Sequence, residues 1–176
     1  VFKTIDGGIS PTRGSKYSAC IDLYSSHDIV IGAGETKLVG LGVCIDLEFI
    51  KKNLCTEWIG GIDNGFSSVN ERMVDKFLNS HYLQLMLRSS LGKKGLILPN
   101  GVGVIDIDYK DEIKMIIHNP IKTREKDGLI DRLNLQSFQI IKGDKIGQIT
   151  LLEHKSYLFG IKSDAERDGG FGSTGE

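Results

Sequence analysis

Short apolar runs, some of them alternating with polar positions at a period of two, recur along this chain between glycines and other turn residues. Residues 18–25 (Ser18-Ala19-Cys20-Ile21-Asp22-Leu23-Tyr24-Ser25), 36–39 and 41–47 read as strands of this kind, as do 81–87, 114–118, 138–141 and 146–152. A period of two sends successive side chains to opposite faces of a sheet, so each run buries one face and wets the other. Many such strands, punctuated by glycine, predict a sandwich or barrel. One stretch departs from the pattern. Met73, Val74, Phe77 and Leu78 follow at helical spacing behind Ser68 and Glu71, a capping-box pair, and predict a short amphipathic helix over about 69–79. Residues 1–17 are turn-rich around Gly7, Gly8 and Pro11, and the charged segment 122–132 reads as a solvated loop.

The chemistry is densest in Val102–Ile113, where Asp106, Asp108, Asp111 and Glu112 sit within an apolar alternation of Val104, Ile105, Ile107 and Tyr109. It reads as a strand or hairpin, with two readings of the acids. Either they are solvated on a turn, or a carboxylate is held in place by a pair, a hydrogen bond or a cation, since burial without one is costly. Arg88, Ser89 and Ser90, followed by Gly92, Lys93 and Lys94, combine a guanidinium fork with two hydroxyls and suit an oxyanion, although such a triplet also occurs in ordinary loops. Asp22 is an isolated acid in strand 18–25 and by itself reads as solvent-facing. The glycine-rich end has the composition of a flexible arm. Its Arg167, Phe171, Ser173 and Thr174 nonetheless offer a guanidinium, an aromatic plane and two hydroxyls that can close over a base and a polyphosphate as a lid.

Composition narrows the partners. The 176 residues suit one domain, 1–176, and the formal net charge of −1 provides no overall basic field for nucleic acid or an anionic membrane. An anionic ligand needs local donors instead. Cys20, Cys44 and Cys55 form no CxxC pair and leave at least one thiol unpaired, which suits reduced thiols in an intracellular, cytoplasmic setting. No apolar run approaches the length of a membrane span, and neither a phosphate-binding GxxxxGK[ST] loop nor zinc-ligand spacing occurs.

Five segments in fixed order carry a resemblance. SACIDLYS (18–25), LRSSLGKKGL (87–96), NGVGVIDIDYKDEI (100–113), KGDKIGQITLLEH (142–154) and RDGGFGSTG (167–175) together resemble the trimeric deoxyuridine triphosphatases, the dUTPases. The resemblance implies an all-β jelly roll, assembled as a homotrimer whose active sites draw on all three subunits. It implies hydrolysis of dUTP to dUMP and pyrophosphate with Mg²⁺, without direct contact to nucleic acid or membrane. By position, Asp106 corresponds to the general base that activates a water for attack on the α-phosphorus, and Tyr109 to the tyrosine under the deoxyribose. Asn100, Gly101 and Val104 fall where the uracil edge is read. Arg88, Ser89, Ser90 and Gln148 correspond to phosphate contacts, and Asp22 to the acid linked to the metal through water. On the arm, Arg167, Ser173 and Thr174 correspond to γ-phosphate contacts, with Gly172 beside them and Phe171 capping the uracil.

The chain departs from that pattern at Cys20, Leu87, Asp111, Gly147 and Asp168, none of which removes a proposed chemical group. Asp111 adds an acid near the base. The segments 48–80, holding the helix, and 121–133 are longer than a minimal member needs and are similar to the variable insertions of phage-encoded members. Residues 164–176 form the arm. Two alternatives stand beside hydrolysis. One is a dCTP deaminase, which shares the fold and an Arg-Ser-Ser segment but needs a glutamate where Ile117-His118-Asn119 stands. The other is a regulatory role in which 48–80 contacts a protein partner.

Overall fold

Leu83 and Leu85 are 3% and 1% exposed while Gln84 and Met86 between and beyond them are half-buried, so one strand already has a core face and a wetter one. A computed structural model describes residues 1–5, 7–54, 68–121, 125–126, 129–130 and 137–161. Its strands in chain order are β1 (Phe2–Thr4), β2 (Thr12–Arg13), β3 (Ile21–Tyr24), β4 (Ile29–Ile31), β5 (Thr36–Gly40) and β6 (Val43–Ile45). After the helix α1 (Ser68–Leu78) come β7 (His81–Leu87), the one-turn helix α2 (Ser89–Lys93), β8 (Gly103–Asp106) and β9 (Lys114–His118). The short β10 (Glu125–Lys126) and β11 (Leu129–Ile130) precede β12 (Phe138–Ile140) and β13 (Lys145–Glu153).

Five strands form one sheet in the order β2-β3-β13-β7-β8, antiparallel at each described pairing. Three two-stranded pairs, β5-β9, β4-β12 and β1-β6, supply further walls. Leu23, Leu85 and Ile149 from the large sheet join Val39, Met115, Ile117, Ile31 and Ile140 from the pairs in a single apolar cluster. Burial of each such side chain contributes about 1.5–3 kcal/mol. The architecture is all-β, as the strand pattern predicts, and it is the jelly roll that the resemblance implies. Among the described residues no helix is long and apolar enough to cross a membrane.

The helix begins at Ser68, so Ser68 is its first residue rather than the cap ahead of it. Its Val74, Phe77 and Leu78, three and four residues apart, turn into the core, and Phe77 stacks on His81 with ring centroids 4.1 Å apart. The charged segment 122–132, expected as a loop, contains the paired strands β10 and β11. Backbone pairing needs no apolar side chain, so charge alone did not exclude it.

The acidic stretch holds the larger correction. It is not a hairpin. β8 pairs with β7 in the large sheet, whereas β9 pairs with β5 on the other layer. Between them the chain turns at Asp106, where the Tyr109 amide donates to the Asp106 carbonyl at 3.1 Å, and crosses to the second layer. There Ile113 donates to Val43 at 2.8 Å and accepts from Leu41 at 3.0 Å. Alternation shows which face a residue takes, but not which strand it pairs with.

Candidate active site

The crossing places two kinds of side chain. Asp106 ends β8 in an exposed position, and Tyr109, one turn on, is 8% exposed. Its hydroxyl donates to the Glu112 carbonyl at 3.4 Å. Just upstream, the Gly101 amide donates to the Leu98 carbonyl at 3.0 Å, closing a turn through Pro99 and Asn100, and Gly101 takes the positive φ of 72° that glycine tolerates. Tyr109, Asn100 and Val104 thereby line one cavity of about 250 Å³, whose apolar walls include Leu85, Ile105 and Met115. Gly101 is exposed in the adjoining turn and Asp106 lies between two wall residues without lining the cavity itself. An apolar slot with a few polar groups at its edge suits a planar base and a sugar.

A second cluster forms where β7 runs into Arg88. Gln148 on β13 stands directly between Asp22 on β3 and Met86 on β7. Arg88 follows β7, its amide donating to the Ile146 carbonyl at 3.0 Å and its Nη1 to Asp22 Oδ1. Lys145 Nζ donates to Asp22 Oδ2 at 3.0 Å. Asp22 is 7% exposed, so it is not the solvent-facing strand acid that it looks like in isolation. Ser89 and Ser90 open α2 and are exposed in its first turn, with buried Leu91 pinning the helix. N–H groups of a first helical turn have no acceptor within the helix.

Burial pushes the Asp22 carboxyl up, but hydrogen bonds and charge from Lys145 and Arg88 outweigh it and hold the group below its ordinary 3.8. The bond to Asp22 raises Lys145 correspondingly. A carboxyl lowered in the folded state adds stability above its unfolded value and loses it as pH falls through the folded one. Thermal unfolding of wild type and Asp22→Asn should therefore differ most near neutral pH, and the gap should narrow below 3.8. An equal gap at neutral and strongly acid pH would contradict this.

Asp106 and Arg88 do not meet within one chain. Asp106 pairs with Tyr82, and Arg88 lies six residues along the same strand direction, about 20 Å away at strand rise. Arg167, Phe171, Gly172, Ser173 and Thr174 lie outside the described residues, as do residues 55–67 in the longer insertion. Asp108 is exposed, and Glu112 is structural, its Oε1 accepting from the Gly42 amide at 2.9 Å. Asp111 is exposed beside the crossing. Cys20 and Cys44 are free thiols. Lys145 was not singled out from sequence. Its place within the KGDKIGQ segment, three residues before Gln148, is the signal that could have found it. The wall residues Leu85, Ile105 and Met115 were also missed, because an apolar cavity wall and a core strand use the same residues.

Comparison with known proteins identifies the family. The sequence profile of the dUTPase family matches residues 76–175. A deoxyuridine 5'-triphosphate nucleotidohydrolase of Nautilia profundicola is 29% identical over 171 residues, 94% of this chain and 90% of that protein. One from Debaryomyces hansenii is 30% identical across 100% of this chain and 86% of its own length. A dUTPase from phage phi11 of S. aureus, described as coordinating a structural Mg(II) ion, superposes with a TM-score of 0.59 at 17% identity, over 98% of this chain and 97% of that one. At that identity the superposition speaks for the fold alone. The profile and the full-length relatives decide between hydrolysis and deamination: the chain belongs to the dUTPase family, and its activity is that of a dUTP diphosphatase, converting dUTP to dUMP.

Proposed function

We propose that the uracil and deoxyribose of dUTP occupy the cavity at Asn100, Val104 and Tyr109, with the backbone at Gly101 reading the base edge. Tyr109 lies under the sugar, where a 2′-hydroxyl would crowd it. The triphosphate extends to Arg88, Ser89, Ser90 and Gln148 of a neighbouring subunit. Arg88 spends one of its five N–H donors on Asp22 and is only partly covered, so the rest of the fork can face an anion. Asp106 accepts a proton from the water that attacks the α-phosphorus, and the bond to the bridging oxygen breaks to release pyrophosphate. Arg167, Ser173 and Thr174 grip the γ-phosphate, while Phe171 and Gly172 close over the base as an arm formed by 164–176.

The observation that carries the shared site is the separation of about 20 Å between Asp106 and Arg88 along β7. One chain cannot bring both to a single α-phosphate. Closed symmetric assembly places the base of one copy against the donors of the next, and a homotrimer satisfies that arrangement.

Asp22 fits a water-mediated metal contact. It is held ionised, and its two oxygens keep acceptor capacity beyond Arg88 and Lys145. Among the described residues no group of three or more His, Cys, Asp or Glu is placed to hold a metal ion, which suits Mg²⁺ carried largely by phosphate and water. Bound there, Mg²⁺ would supply neutralisation of phosphate charge. Helix α1 turns Val74, Phe77 and Leu78 into the core, which favours a covering role for it over a docking one. Hydrolysis in water labelled with heavy oxygen tests the point of attack. Label should enter dUMP and be absent from pyrophosphate. Label in pyrophosphate would reject attack at the α-phosphorus.

A further inference from the structure

Behind the cavity wall, Gly147 sits in β13, a strand held on both edges by β3 and β7. A Cβ at this position would lie 2.8 Å from Met115 Sδ, 3.3 Å from Leu85 Cδ1 and 3.6 Å from Leu23 Cβ. Met115 and Leu85 are each 1% exposed and both also line the cavity that Tyr109 and Asn100 share. One thioether thus touches the phosphate-side strand at its back and the cavity at its front.

We propose that Met115 is a specificity-determining residue whose thioether sets the depth of the nucleoside cavity, and that glycine at 147 is what lets it withdraw that far. This rests on the cavity being the nucleoside site. The physical reason is a choice of which atom yields. β13 is fixed by pairing on both sides, and Leu23 and Leu85 belong to the close-packed core. Methionine is unbranched and adaptable, so a methyl at 147 displaces Met115 before it displaces backbone. The open direction is the cavity. Overpacking at 147 is therefore relieved into the space the substrate needs, with little left to disturb the fold.

Steady-state kinetics and thermal unfolding of the full chain test this. Gly147→Ala should raise KM for dUTP about tenfold with kcat within about twofold, at a melting temperature close to wild type. Met115→Val, which withdraws the thioether from the floor, should also raise KM by about tenfold. The double variant should lie nearer to wild type than Gly147→Ala, because valine leaves the room that the new methyl takes. A folded Gly147→Ala with wild-type KM, or single-variant effects that simply multiply in the double, would overturn the proposal. Should Gly147→Ala fail to fold, an unchanged KM in Met115→Val overturns it alone. Asn100→Ala separates the two levels. If it leaves KM unchanged, the nucleoside reading and this proposal fall together. If it raises KM while Gly147→Ala does not, only this proposal falls.

Discussion

Asp106→Asn lowers kcat for dUTP by about 10²–10⁴-fold, the range associated with loss of a positioned general base. The amide keeps the size and planarity of the carboxylate but cannot take the proton from the attacking water. Asp106 stands at the end of β8 beside the cavity rather than within its lining, while Tyr109 and Asn100 keep their own anchors in the crossing and the Pro99 turn. Substrate binding should therefore survive, and KM should stay within about threefold of wild type, so that kcat and kcat/KM fall together as expected for an interaction made in the transition state. Near-normal turnover in a folded Asp106→Asn protein would remove Asp106 from its role. A rise in KM at unchanged kcat would make it a binding group instead.

Asp106 also shows where sequence reading stops. The strands at 81–87 and 114–118 were legible to the residue as short apolar runs, and Leu83, Leu85, Met115 and Ile117 are buried at alternate positions in them. The same alternation runs through Val102–Ile113, yet there it gave a hairpin where the chain crosses between layers. Period two encodes a face, and the choice of partner strand depends on residues far away, such as Val43 and Leu41. The one-turn helix at Ser89–Lys93 was hidden by Gly92 and two serines, all weak helix formers, and is held by the burial of Leu91. Asp22 looked solvent-facing because Arg88 is 66 residues away and Lys145 is 123 residues away, and only the fold brings those cations to it.

The grouping of functional residues was legible by resemblance, and geometry adds a division to it. Five segments in one order imply one site, but the described residues fall into a nucleoside cavity and a cationic cluster, with Asp106 and Arg88 level with opposite ends of β7. Lys145 enters the second group as a partner of Asp22, and Met115 enters the first as its floor. Met115 has no distinctive sequence signature, since a methionine in a core strand is commonplace.

That division can be tested by mixing defects. Asp106→Asn and Arg88→Gln proteins are each expected to be nearly inactive, the first lacking its base and the second a phosphate donor. Glutamine is chosen because it keeps a hydrogen-bond donor toward buried Asp22, where Lys145 still supplies positive charge. If every site takes Asp106 from one subunit and Arg88 from another, co-assembled equal mixtures regain sites in which both are intact, about a quarter of the total for random closed assembly. Activity in the co-expressed mixture should rise to about a quarter of wild type per site, while separately assembled variants that are merely combined stay inactive. A co-assembled mixture no more active than its two parents would contradict the shared site and return Asp106 and Arg88 to a single chain.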